Sequence, residues 1–255
     1  MEEITKAVGQ WLRMRRIEVG LERPEDLGRL VGLSADQIKK AENGTRTLSI
    51  ESFEAIVGAL ALPMWWGRMV LALTRTSLIP SHVGTDHPIG TRDLRILEAY
   101  PGPACYYEVP LFKVRAANSK YLRAFPGLVP GRNIIEWLVN EPAARKVLDG
   151  WGLEVHLMTQ ALKLMSPGLV AQHEVDAVVD ACRHAPEWNE LWSTDFPQSW
   201  ASMDSSLEYS VITDIDTGEE QPMWVSIDVS EVPFRPWWTY HLTPVDGPLA
   251  TVEVR

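Results

Sequence analysis

A chain of 255 residues that is 45% apolar and 23% charged is long enough for two domains and too apolar to be mostly disordered. Its net charge of −10 is unevenly spread: residues 1–75 hold 11 basic against 10 acidic side chains, a net of +1, and the remainder hold 13 against 24, a net of −11. Overall acidity therefore does not exclude a nucleic-acid partner for the first part, whose cations gather at Arg13, Arg15, Arg16, Lys39, Lys40 and Arg46.

The first 75 residues carry helical periodicity. Ile4, Val8, Trp11, Leu12 and Arg15 open a helix that ends near Gly20. Pro24 suits the first position of a second helix through Leu27, Leu30 and Val31. Gly32-Leu33 makes a tight turn, Ser34 caps a third helix over 35–43, and Gly44 ends it. Ser49 caps a fourth helix through Phe53, Ile56, Val57 and Leu60, closed by Pro63, and a fifth runs from Trp65 to Leu73. The apolar stretch from Ala55 to Leu73 is interrupted by Pro63 and Arg68, which predicts short buried helices rather than a membrane span.

Residues 76–103 are rich in turn formers, with one helical stretch from Arg92 to Ala99, and are expected to link two domains. Two short strands, 105–109 and 112–116, flank Pro110, with Phe112, Val114 and Ala116 on one face. Helices are expected over 118–125, 133–149, 151–165, 173–184 and 186–192. Strands return at 207–214 and 223–229, separated by Asp216-Thr217-Gly218, and at 237–243. Strands, then helices, then strands describe an α+β domain with an antiparallel sheet over 104–255, following an all-α domain over 1–75.

The segment Leu21–Gly44 carries the most specific pattern. Its Pro24-Glu25-Asp26-Leu27-Gly28, Gly32-Leu33-Ser34 and Glu42-Asn43-Gly44 resemble the helix-turn-helix of the phage-repressor (Xre) family. Gly28 is small where the two helices cross, and Leu27, Leu30, Leu33 and Ile38 are expected to bury the joint. The resemblance implies that Ala35, Asp36 and Lys40 touch base edges of double-stranded DNA, that Gln37 and Lys39 flank them, and that Asn43 and Arg46 meet phosphate. The basic surface of one copy is small, which predicts a homodimer on two half-sites about one helical turn apart. Pro24 departs from the family, because a proline has no N–H to offer phosphate.

Four later stretches resemble the C-terminal domain of MmyB-like regulators: Ala116-Ala117-Asn118; Pro130-Gly131-Arg132-Asn133-Ile134; Glu141-Pro142-Ala143-Ala144-Arg145; and Pro186 to Trp192. That likeness implies a PAS-like fold, an antiparallel sheet with helices on one face, enclosing a cavity for an apolar, fatty-acid-like ligand. Trp137, Trp188, Trp192, Trp224, Trp238 and Tyr240 are the candidate walls, with Phe112 and Val114 from the strands. For any single tryptophan, ordinary core packing is the simpler role. Arg132 and Arg145 are candidates for a ligand carboxylate or for structural ion pairs.

Catalytic patterns do not stand out. There is no Gly-rich phosphate loop, no Gly-x-Ser-x-Gly and no clustered His, Asp and Cys, and His156, His173 and His184 sit singly on helices. Cys105 and Cys182 have no second ligand at metal spacing, and His82 and His87 are isolated. Two free thiols and a charged N-terminus without a signal peptide suit a cytoplasmic protein. The expectation is a transcriptional regulator, not an enzyme, without cofactor or metal. The alternative is an antitoxin-like protein-interaction module with no small ligand.

Overall fold

The N-terminal periodicity forms four helices: α1 (Glu2–Glu18), α2 (Pro24–Val31), α3 (Ala35–Glu42) and α4 (Ile50–Ala59). The structure, a computed structural model, describes residues 2–46, 48–60, 88–166, 170–194, 209–231 and 234–245. The expected fifth helix (Trp65–Leu73), residues 76–87 of the expected linker with His82 and His87, and the tail after Pro248 lie outside the described residues. No helix of the described residues is long and apolar enough to cross a membrane.

α3 packs against both α1 and α2, and α4 packs against α2. Trp11, Leu12, Leu27, Ile38, Phe53, Ile56 and Val57 are buried. Leu30, expected in the joint, is instead 62% exposed. The eight-residue α2 turns a single narrow face to its neighbours, and Leu27 and Gly28 occupy it. Gly32 takes the left-handed conformation at the end of α2 (φ 70°), where only glycine is unstrained.

The chain divides into two compact units, Met1–Thr85 with His156–Asp204 and Asp86–Val155 with Ser205–Arg255. This differs from the consecutive partition at residues 75 and 103. The second unit contains α5 (Thr91–Glu98), β1 (Ala104–Tyr107), β2 (Val114–Ala117), α6 (Ser119–Ala124), α7 (Ile134–Asn140) and α8 (Pro142–Val147). It is completed by β3 (Tyr209–Thr213), β4 (Glu220–Glu231) and β5 (Phe234–Pro244). The unit boundary falls within α9 (Trp151–Met165), while α10 (Gln172–Cys182) and α11 (Trp188–Ser193) belong to the first unit.

The expected helix over 133–149 is two helices. The ring of Pro142 clashes with a helical residue before it, and Glu141 is extended (ψ 118°). The sheet is antiparallel and five-stranded, in the order β2-β1-β5-β4-β3. Cross-strand partners share a face. Cys105 opposite Tyr240 and Tyr107 opposite Trp238 therefore build one face. Ala104 and Tyr106 build the other, where they pack with Ala116, Trp237 and Leu97 of α5.

A helix thus covers the second face as well, and residues 91–103 are part of the sheet unit rather than a connection. Asn118 knits them in. Its Oδ1 accepts from the Ala104 N–H (3.0 Å) and the Tyr121 N–H (2.8 Å), and its Nδ2 donates to the carbonyls of Gly102 (2.9 Å) and Leu97 (3.3 Å). A register shift beside Tyr106 sets Val114 against Tyr107 and Ala116 against Tyr106. Val114 and Ala116, expected on one face, accordingly fall on opposite faces. Phe112 precedes the strand, buried at a positive φ of 56°.

Candidate functional site

The exposed surface of α3 is assembled locally. Ser34 Oγ accepts from the Gln37 N–H (3.2 Å), and the Gln37 side chain accepts in return from the Ser34 N–H (2.8 Å). This reciprocal cap frees the start of the helix from fraying. It also engages Gln37, one of the expected flanking contacts. Asp36, Lys39, Lys40, Asn43 and Arg46 are exposed and Ala35 is half-buried. The Arg46 N–H donates to the Lys40 carbonyl (3.2 Å), which ties the expected phosphate-binding residue to the end of α3.

Underneath, α3 is held by a buried ion pair. Arg16 and Glu42, 3% and 5% exposed, meet through Nε–Oε1 (2.5 Å) and Nη2–Oε2 (3.0 Å). The remaining guanidinium nitrogen, Nη1, donates to the carbonyls of Leu21 (2.6 Å) and Glu22 (2.7 Å). One arginine on α1 thereby fixes the last turn of α3 and the α1–α2 connection. Two glycines permit the close approach. A Cβ at Gly28 would run into the Leu33 carbonyl oxygen, and one at Gly9 into those of Ala41 and Glu42.

Three of the exposed cations are already paired: Lys40 with Asp36 (2.8 Å), Lys39 with Glu25 (3.5 Å) and Arg29 with Asp26 (2.5 Å). Hydrogen bonds from Arg29 and from the Arg23 N–H hold the Asp26 carboxyl below its ordinary range. Exposed pairs of this kind are individually weak, about 0–1 kcal/mol, and a phosphate can replace the acid at little cost.

In the second unit the expected cavity walls separate. Trp137 is fully buried, with Nε1 donating to the Pro126 carbonyl (2.9 Å) and its ring edge-on to Phe125 (5.9 Å). Trp188 and Trp192 stack on each other (5.4 Å) and belong to the first unit. Trp224, expected as a wall, is 47% exposed against Tyr209, because alternation along β4 gives the inner position to Met223. Arg132 pairs with Glu141 (3.3 Å), and Arg145 lies over the Trp151 ring (3.6 Å), so both have structural partners.

Phe112, Val114, Trp238 and Tyr240 do come together, with further residues beside them that carry no motif. On the face carrying Cys105, Tyr107, Trp238 and Tyr240, Phe112 stacks on Tyr107 (6.1 Å) and Tyr121 sets its ring edge-on to Tyr240 (6.5 Å). Burial pushes the pKa of the Cys105 thiol up to about 12 and that of Tyr121 upward as well. Burial, and then the charge of Glu154, raises Tyr240; burial, Cys105 and Glu154 raise Tyr107. Glu154 itself, in the first turn of α9, is raised by desolvation alone. A signal existed: Glu154 lies three residues after Trp151 in an apolar helix, at core spacing. No family model matches the chain, and no curated protein matches it.

Proposed function

We propose that this chain is a DNA-binding transcriptional regulator whose recognition helix is α3 and whose sheet unit binds an apolar small molecule that alters DNA binding. One observation carries the first half. An N-capped helix with an exposed face is clamped from below by the buried Arg16–Glu42 pair and by glycine contacts at Gly9 and Gly28. A rigid helix presented in this way suits insertion into a major groove. The Xre-like pattern and the MmyB-like segments agree with it, as does a five-stranded antiparallel sheet for a PAS-like ligand domain. An acyl chain would gain about 0.8 kcal/mol for each methylene buried.

The test begins by selecting bound sequences from a random DNA pool. Lys40→Ala should then relax base preference. Arg46→Ala should weaken binding to all sequences alike and lower the salt slope by about 1. If both variants bind a selected site as the parent does, the recognition-helix assignment fails. One observation favours the antitoxin-like reading instead: Lys39, Lys40 and Arg29 each carry an acidic partner on the same surface. A partner protein captured on α3 with no DNA selected would bring that reading forward.

A further inference from the structure

Two of the side chains expected beside the bases are committed by the fold. Gln37 is half-buried, and its Oε1 accepts from the Ser34 N–H (2.8 Å), so the cap holds it at the start of α3. Lys39 reaches across to Glu25 of α2 (3.5 Å). Ala35 offers only a methyl group. What remains on α3 for reading a base pair is Asp36 with Lys40. They lie four residues apart, on one face of the helix. Their head groups meet at 2.8 Å between Oδ2 and Nζ, with 69% of the Asp36 side chain and 52% of the Lys40 side chain exposed.

An acid on a surface that meets DNA needs a hydrogen-bond donor to face. The major groove offers two, the N4 amino group of cytosine and the N6 amino group of adenine. The other polar atoms of the base edges there are acceptors, and the phosphates are anions, so both repel a carboxylate. Base pairing sets each amino group about 2.9 Å from an acceptor on the opposite strand, guanine O6 or thymine O4. That spacing matches the 2.8 Å between Asp36 and Lys40. The two base pairs differ in what flanks the matched atoms. Guanine adds N7, a second acceptor for the ammonium group, and cytosine sets no acceptor beside N4. Adenine sets N7 against the carboxylate, and thymine sets a methyl group against the ammonium group.

We propose that Asp36 and Lys40 act as one unit that reads a C·G base pair. The Asp36 carboxylate accepts from cytosine N4, and the Lys40 ammonium donates to guanine O6 and N7. This rests on the DNA-binding reading and names the base pair. On any other sequence Lys40 can turn to phosphate only by leaving the carboxylate against an acceptor. Asp36 is therefore a specificity-determining residue, which lowers affinity for every sequence that does not supply its donor.

The test selects bound sequences from a random DNA pool with the full chain and its variants, then measures affinity for the selected site and for an unrelated duplex. The parent's sites should carry a C·G pair at one fixed position, and replacing that pair should weaken binding about tenfold or more. Asp36→Asn should move the preference at that position alone to A·T, since an asparagine amide pairs bidentately with adenine N6 and N7. Asp36→Ala should lose the preference there, bind the unrelated duplex about tenfold more tightly at low salt, and steepen its salt dependence by about one. A gain of that kind cannot come from an unfolded domain. Glu25→Gln frees Lys39 in the same way, and should raise affinity for both duplexes while the preference stays at C·G. A C·G preference that survives Asp36→Asn and Asp36→Ala, or selected sites with no fixed C·G pair, overturns the assignment while DNA binding stands. If the parent selects no sequence, the DNA-binding reading falls and this inference falls with it.

Discussion

Replacing Arg16 by methionine keeps most of the side-chain volume and removes the charge. The carboxylate of Glu42 is then left 5% exposed with neither of its two hydrogen bonds to Arg16, and the carbonyls of Leu21 and Glu22 lose their donor. The carbonyls lie towards the surface, where water substitutes. Glu42 cannot be rescued in that way, and breaking a buried pair by removing one partner costs about 3–5 kcal/mol. Hydrogen exchange followed by mass spectrometry on the intact chain reads this locally. Peptides spanning 35–43 should exchange about two to three and a half orders of magnitude faster, since about 1.4 kcal/mol is tenfold. The double variant Arg16→Met with Glu42→Leu should recover most of the protection, because no stranded charge remains. A double variant as unprotected as the sum of the two single ones would refute the reasoning, since the damage would then come from lost packing.

Gly28→Ala drives a methyl group into the Leu33 carbonyl and should cost about 1–3 kcal/mol in thermal denaturation, with DNA affinity falling as α3 tilts. For Asp93, burial alone would raise the carboxyl, but Arg235 (2.7 Å) and the Gly90 N–H outweigh it and hold the group below 3.8. The stability from that pair is therefore complete above pH 3.8 and is lost as pH falls through the lower folded value. Asp93→Asn should flatten the acid limb of a melting-temperature profile below pH 3.8, and an unchanged limb would show that the pair contributes nothing.

What could be read from the sequence was local. Ser34, Gly32 and Pro24 act within a turn of the chain, and each does what its own chemistry dictates. The same code was available at Pro142, where the restriction on the preceding residue breaks a helix that periodicity alone would have run on to residue 149. What escaped depends on distant partners. Arg16 and Glu42 are 26 residues apart, and as separate charges on amphipathic helices they look solvated. The register shift beside Tyr106 leaves no mark in the pattern of 112–116, where alternation alone sets Val114 and Ala116 on one face. Trp224 shows the limit of composition: a large ring signals burial on average, while strand alternation decides the individual case.

The strand order has a consequence for how the protein is made. β5, the last strand described, lies at the centre of the sheet, between β1 and β4. During translation β1 must therefore wait until residue 244 has cleared the ribosome, whereas α1 to α4 are complete by residue 59. At about 5–20 residues per second that interval is roughly 10–40 s. The α3 region can be folded while Cys105, Tyr106 and Tyr107 still lack a partner strand in β5. A pause or truncation before β5 leaves those apolar residues exposed on the nascent chain, and it is at this stage of synthesis that the protein is most open to aggregation and most dependent on chaperones.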